Sequence, residues 1–253
     1  MIELKGMIII DLFVLAFGAI LGSFGALCVV RIPKTESIIS GSSHCDNCGR
    51  KLKWYELIPI FSYLFLKGRC ASCGHKISKM SFVFEILSCL LSLMCYKSYG
   101  FSFNYLLILL FIIDLLVISF IDYYHQDIYL KTIIVLAILA IIYRLYNGGE
   151  IKDMLIGTLA ISLSFAIVNL FKKDSFGFGD VELMAVAGFL LGIRKVLIAT
   201  YIGIITAGVV AIYLLYLKKT KAKHIAFAPF LSLGIIISLF FGDFLYLVYL
   251  GLF

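Results

Sequence analysis

Long apolar runs, separated by short polar loops, are the feature that most restricts how this chain can fold. A helix needs about 20 apolar residues to cross a bilayer, and it satisfies its own backbone polar groups there. Of the 253 residues, 62% are hydrophobic and 15% are charged, whereas soluble domains have about 45–50% and about 25%. The sequence therefore predicts an all-α polytopic membrane protein with about eight transmembrane helices. They are expected at residues 7–30, 81–97, 104–121, 132–147, 154–171, 181–193, 196–217 and 226–250.

The basic residues are distributed unevenly between the loops of this predicted bundle. If the helices cross in alternation, one side of the membrane carries 16 of the 22 Lys and Arg. The positive-inside rule places that side in the cytoplasm and both termini outside. The uneven distribution of the basic residues behind the net charge of +7 therefore indicates how the chain is oriented in the bilayer. We expect no nucleic-acid partner. The loops on the basic side are residues 31–80, 122–131, 172–180 and 218–225.

A polar insertion after the first helix carries two CxxC pairs, Cys45 with Cys48 and Cys70 with Cys73. Four thiolates at this spacing suit a tetrahedral zinc ion, with a structural role because protein ligands fill every position. A thioredoxin-like redox pair needs one CxxC in a βαβ context, and disulfides are disfavoured in the cytosol. We therefore expect three parts: a first helix at 1–30, a cytoplasmic zinc-binding insertion at 31–80 and a seven-helix membrane domain at 81–253.

Two carboxylates mark the cytoplasmic ends of predicted helices. Asp122 ends the third helix, and Asp180 follows Gly177 and Gly179 where the sixth helix begins. Two carboxylates from different helices can share a proton, so that one acts as base and the other as acid against a peptide carbonyl. The alternatives are a helix-capping role for Asp180 and a solvated helix end at Asp122.

Two further acids lie inside predicted helices. Asp114 precedes Asp122 by eight residues, which is about 12 Å along a helix, and Glu85 lies in the second helix close to the insertion. Acids at membrane depth are candidates for function. A buried, hydrogen-bonded structural role is the alternative for both, and we treat them as supporting residues.

With these pieces placed, the chain resembles the type IV prepilin peptidases, which are GxGD-type membrane aspartyl proteases, over nearly its whole length. An opening GSF stretch, a cytoplasmic zinc loop, two aspartate motifs and a PFL stretch in the last helix carry the resemblance. They are found at Gly22-Ser23-Phe24, Arg31-Ile32-Pro33, His44–Gly49, Trp54–Pro59, Gly68–Gly74, Glu85, Ile121-Asp122, Gly177–Asp180 and Pro229-Phe230-Leu231.

The resemblance implies that Asp122 and Asp180 are the catalytic pair of an aspartic endopeptidase. Its substrates would be prepilins and pseudopilins of pilus, secretion or DNA-uptake systems, cut at the cytoplasmic face of the bacterial inner membrane. Many members also N-methylate the new amino terminus with S-adenosylmethionine, and the zinc-loop region is implicated in that activity.

The chain departs from the family pattern at three places, where Ala26, Tyr129-Leu130 and Ala228 replace Asn, Pro-Asp and Gly. None of these changes removes a catalytic carboxylate. The Ala26 change falls in the region tied to methylation. A transporter that uses intramembrane carboxylates is the alternative function, and a non-enzymatic zinc-loop scaffold is a third.

Overall fold

A computed structural model describes residues 2–45, 47–171, 177–216 and 225–251, with the side chains of residues 2–5 left aside. Over these residues the chain forms α-helices and one 3-10 helix, with no β-strand, so the predicted all-α class is confirmed. The elements are α1 (Ile2–Arg31), the 3-10 helix (Trp54–Leu57), α2 (Phe61–Phe65), α3 (Lys79–Tyr99), α4 (Phe103–His125), α5 (Leu130–Asn147), α6 (Ile151–Phe171), α7 (Phe178–Tyr216) and α8 (Ala228–Gly251).

Among the described helices, seven are long and apolar enough to cross a membrane. The longest, α7, has 39 residues and is interrupted at Gly192, where φ is 75° and ψ is 174°. This backbone conformation is essentially restricted to glycine. The two arms of α7 correspond to the sixth and seventh apolar runs, so each of the eight predicted runs has a helical counterpart. The basic loop residues at 172–176 and 217–224 lie outside the described part of the chain.

The two arms of α7 run in opposite directions. The first arm is antiparallel to α6, because Gly157 approaches both Gly188 and Gly192 while Asp153, one turn earlier, accepts a hydrogen bond from the amide of Ile193 at 3.1 Å. A Cβ atom at Gly157 would lie 2.5 Å from the carbonyl oxygen of Gly188. Such close backbone approach is how small residues join helices where lipid supplies no hydrophobic driving force.

The second arm of α7 is antiparallel to α8. Lys195, near the start of the arm, pairs with Asp243 at 2.7 Å, whereas Gly203 lies against Leu231 near the start of α8. Late α6 and early α8 meet where Phe165 and Phe227 place their ring centroids 6.3 Å apart. It follows that α6 and α8 are antiparallel, and that the chain reverses at Gly192.

The chain divides into two compact units, residues 1–109 and 110–253. In the first unit α1 packs on α3 through small residues, since a Cβ atom at Gly18 would lie 2.5 Å from the Cβ of Ser92. The Ser92 hydroxyl donates to the carbonyl of Val14 at 3.0 Å. The second unit holds the helices that carry Asp122 and Asp180. The three-part division expected from the sequence follows membrane segments rather than compactness, and it stays a prediction.

Candidate active site and metal centre

Asp122 lies in the last turn of α4 and is 7% exposed. Its Oδ2 atom accepts a hydrogen bond at 2.9 Å from the backbone amide of Ala228, the first residue of α8. The first amides of a helix have no partner within the helix, so α8 offers a donor to a neighbouring acid. The start of α8 therefore fixes the position of the Asp122 carboxylate.

Asp180 is the third residue of α7 and is also 7% exposed. Its Oδ2 atom accepts a hydrogen bond from the amide of Gly177 at 3.1 Å, in the manner of the acidic member of a capping box. The capping role considered from the sequence is therefore real, although Asp180 lies inside the helix rather than at its N-cap. That role engages one oxygen of a buried acid.

The loop after α4 brings the two acids together within the second unit. A Cβ atom at Gly179 would lie 2.5 Å from the Cβ of Ile128, which follows Asp122 by six residues. Only glycine allows the start of α7 to lie this close to that loop. The carboxylates of Asp122 and Asp180 interact electrostatically. Two buried acids on separate helices can divide the roles of proton acceptor and proton donor.

The two supporting acids lie elsewhere. Asp114 is in the middle of α4, eight residues before Asp122, and its Oδ2 atom is buried without a hydrogen-bond partner among the described residues. Glu85 belongs to the first unit, where it is 7% exposed and accepts a hydrogen bond from the amide of Ile60 at 2.7 Å. Glu85 is therefore a buried acid and Asp114 a half-buried one, and neither is a member of the Asp122–Asp180 pair.

The four cysteines of the insertion converge as their spacing predicts. Their Sγ atoms all lie within 4.8 Å of one another. Zinc–sulfur bonds of about 2.3 Å give a tetrahedron with edges of about 3.8 Å, and the Sγ atoms of Cys45 and Cys73 are 3.8 Å apart. The donor set therefore fits a tetrahedral metal ion such as zinc. Cys28, Cys89 and Cys95 lie apart as buried thiols.

The two halves of this metal centre have the same backbone geometry. Gly49 donates to the carbonyl of Cys45 at 2.8 Å, and Gly74 donates to that of Cys70 at 2.9 Å. Both glycines have φ close to +67°, a left-handed conformation that glycine adopts without strain. Backbone amides of Cys73 and Ser72 lower the pKa of the Cys70 thiol to about 6. This favours the thiolate, which is the form that binds metal.

A buried ion pair braces the insertion next to the cysteines. Arg50 donates to both carboxylate oxygens of Glu56, at 3.1 and 2.6 Å, and the amide of Lys53 donates to the same group at 2.7 Å. The Arg50 guanidinium holds the pKa of Glu56 below its usual value. The cationic partner and the backbone donor together make Glu56 a structural acid.

A cavity of about 290 Å³ lies within the first unit. Its walls are the end of α1, the insertion and the start of α3, and Glu85 lines it. Arg31 closes one side, since its guanidinium donates to the carbonyls of Ser37 at 2.8 Å and Ser40 at 3.2 Å. The cavity therefore has walls held by hydrogen bonds and a buried acid in its lining.

Several contributors to these sites act through backbone groups or tertiary contacts that residue type does not reveal. Ala228 stood out as a departure from the family pattern, yet its amide is the partner of Asp122. A backbone donor is present in every residue except proline, so residue type does not reveal it. The roles of Ile128 and Arg31 likewise depend on tertiary contacts.

Comparisons with known proteins agree with the residue motifs. Residues 16–99 match the bacterial peptidase A24 N-terminal domain, and residues 108–212 match the type IV leader peptidase family. A Bacillus subtilis protein called prepilin leader peptidase/N-methyltransferase is 33% identical, over 90% of this chain and 92% of its own length. Proteins of the same name from Pseudomonas aeruginosa and Vibrio cholerae are 28% and 29% identical, over 89% and 87% of this chain and 88% and 90% of their own lengths. No solved structure gives a significant match.

Proposed function

The chain belongs to the type IV leader peptidase family, and we propose that it is an aspartic endopeptidase that removes the basic leader from prepilins and pseudopilins. The observation that carries this proposal is the pair of buried acids, Asp122 and Asp180, at adjacent helix ends of the second unit. The names of the relatives supply the substrate class. The paired acids supply chemistry suited to that substrate.

In the proposed reaction, Asp122 and Asp180 activate one water molecule between them. The charged acid takes a proton from the water molecule while the water oxygen attacks the carbonyl carbon of the scissile peptide. The protonated acid donates to the carbonyl oxygen, and the C–N bond then breaks as the leaving nitrogen takes up a proton. The amides of Ala228 and Gly177 hold the two acids in place.

The proposed location is the bacterial inner membrane, with several helices crossing it and the acid pair at the cytoplasmic face. Seven described helices meet the length and apolarity needed to cross. The concentration of Lys and Arg in alternate loops supports the orientation. A substrate whose basic leader stays in the cytoplasm and whose apolar segment enters the bilayer would then meet both acids at its cleavage site.

The insertion is proposed to bind zinc through Cys45, Cys48, Cys70 and Cys73. With four protein ligands, the ion would join the two CxxC turns and stabilise the fold of the insertion. Replacing Cys70 by Ser should reduce the zinc content of the purified protein from one ion per chain to well below one. A wild-type protein with fully reduced cysteines and no bound zinc would contradict this role.

N-methylation of the new amino terminus is proposed as a second activity. The relatives' names include N-methyltransferase, and the first unit contains a cavity with a buried acid. S-adenosylmethionine supplies the methyl group from its sulfonium, which becomes a neutral thioether. The buried acid of that cavity can hold a cation. It therefore fits the sulfonium of the donor and also the protonated form of the amine acceptor.

The test is to incubate the purified full-length chain with a prepilin, with and without S-adenosylmethionine, and to weigh the products. The leader's mass should be lost in both reactions, and one or more methyl groups should be gained only with the donor. Asp122→Asn and Asp180→Asn should each all but eliminate cleavage. Asp11→Asn should not, because Asp11 belongs to the first unit, where it forms an ion pair with Lys97 at 2.7 Å. Unchanged cleavage by either active-site variant would overturn the peptidase proposal.

A further inference from the structure

Glu85 is the buried acid of the first unit whose charge has no cationic partner among the described residues. The Glu85 carboxylate accepts hydrogen bonds from the amide of Ile60, at 2.7 Å, and from the hydroxyl of Ser23. Neither donor carries a charge. Burying an ionised carboxylate without a cation costs several kcal/mol. A cation supplied by a ligand would therefore offset the negative charge of Glu85.

The packing of α1 on α3 fixes Glu85 at the cavity. A Cβ atom at Gly22 would lie 2.6 Å from the Cβ of Ser88 and 3.2 Å from the Cα of Glu85. This close approach brings the next residue, Ser23, within hydrogen-bonding range of the carboxylate. Because the hydroxyl of Ser23 in α1 and the amide of Ile60 both hold it, the acid is pre-positioned rather than mobile.

The other charges around the cavity are already engaged or solvated. Glu56 is neutralised by Arg50 at 2.6 Å, and the guanidinium of Arg31 donates to backbone carbonyls of the loop after α1. Lys34 and Glu36 are exposed and opposite in sign. Glu85 is therefore the lining acid left to recognise a charged ligand.

We propose that this cavity binds the cationic group of a methyl-transfer reactant against the Glu85 carboxylate. The shared chemistry is a small onium ion, either the sulfonium of S-adenosylmethionine or the terminal ammonium of the processed peptide. The volume of about 290 Å³ lies near the lower end of small-molecule pockets, so it accommodates the charged end of a ligand better than a whole peptide. Glu85 is thus a binding residue for the proposed N-methylation, on which this inference rests.

Two matched pairs of probes test the proposal by binding alone. One pair is S-adenosylmethionine and S-adenosylhomocysteine, which differ in the sulfonium charge. The other is a peptide with the mature N-terminal sequence and a free amine, and its acetylated form. Dissociation constants are measured on the full-length Asp180→Asn chain in detergent, so that cleavage plays no part and failure of the peptidase proposal leaves this test intact.

We expect the charged member of at least one pair to bind about tenfold or more tightly than its neutral counterpart, as a charge-assisted hydrogen bond allows. Glu85→Gln should remove that preference, whereas Asp11→Asn, which changes an acid of the same unit outside the cavity, should retain it. The pair that responds identifies the ligand as the sulfonium or the ammonium.

A second variant keeps the test valid if Glu85→Gln does not fold. Ser81→Phe narrows the cavity from the start of α3 without removing the acid, and it should weaken binding of the preferred charged probe about tenfold. The proposal is overturned if no charged probe is preferred by the unmutated cavity, or if folded Glu85→Gln or Ser81→Phe protein binds that probe as tightly as before.

Discussion

Three carboxylates in the second unit each accept a backbone amide at or near the start of a helix, yet their electrostatic surroundings differ. Asp153 lies 3.8 Å from the guanidinium of Arg144. For Asp122 and Asp180, the described residues supply no ion pair, and the two acids interact with each other instead. The amide partners are Ala228 for Asp122, Gly177 for Asp180 and Ile193 for Asp153.

This difference separates an acid that holds the fold from acids available for chemistry. Asp153 and Arg144 connect three helices at the Gly192 reversal, since Arg144 also donates to the carbonyl of Phe189 at 3.1 Å. Asp153 thus has a fixed cationic partner and serves to join these helices. Two buried acids without a cation are costly unless they share a proton, and a shared proton is what acid–base catalysis of peptide hydrolysis needs.

Removing a charge should have its largest effect on cleavage at the Asp122–Asp180 pair, which has no cationic partner among the described residues. Asp122→Asn should lower kcat/KM for leader cleavage about 1000-fold, because it removes a general acid–base group, and should not lower the thermal unfolding midpoint. Asp153→Asn should instead lower the stability of the fold and leave the chemistry intact. It should cost about 1–2 kcal/mol of folding stability by removing the carboxylate partner of Arg144, with cleavage per folded molecule retained. Equal losses of activity in both variants would remove the distinction.

The backbone partner of Asp122 should show the next largest effect. Ala228→Pro removes the donating amide at the first position of α8, where proline is well tolerated by helices. Loss of a hydrogen bond to a charged group should lower kcat/KM about 10- to 100-fold. Ala228→Gly keeps the amide and matches the family's usual residue, so it should cleave at close to the wild-type rate. A proline variant as active as the glycine variant would exclude a role for this amide.

The reversal at Gly192, between the two arms of α7, should affect stability rather than chemistry. Gly192→Ala forces a side chain into a glycine-only conformation and onto the Asp153 carboxylate. It should cost about 1–3 kcal/mol, measured by thermal unfolding in detergent. Gly208→Ala is the matched control, since a Cβ atom there meets nothing within 4 Å. An alanine at 192 that unfolds at the same temperature as the control would contradict this account.

The sequence was sufficient for features that depend on local pattern. Apolar runs located the spanning helices because length and apolarity alone determine whether a segment can cross a bilayer. The CxxC spacing identified Cys45, Cys48, Cys70 and Cys73 because each turn is complete within four residues. Gly18 and Gly22 lie four residues apart, a spacing of small residues that allows close helix packing, and they lie against Ser92 and Ser88.

Other features needed the structure because they depend on contacts between distant residues. The partner of Asp122 is 106 residues away and is a backbone amide, which no side-chain pattern encodes. The triad of Arg144, Asp153 and Gly192 joins three helices. The cavity lined by Glu85 is formed by α1, the insertion and α3, and its volume cannot be read from spacing.

The most direct test of the central claim is a double-mutant cycle on leader cleavage. Single turnover rates are measured for the wild-type chain, Asp122→Asn, Asp180→Asn and the double variant, all checked for equal thermal unfolding. If the two acids act as one catalytic unit, the double variant should be no slower than the slower single variant, because either change already disables the pair. Multiplicative losses in the double variant, or a single variant that cleaves at the wild-type rate, would contradict it.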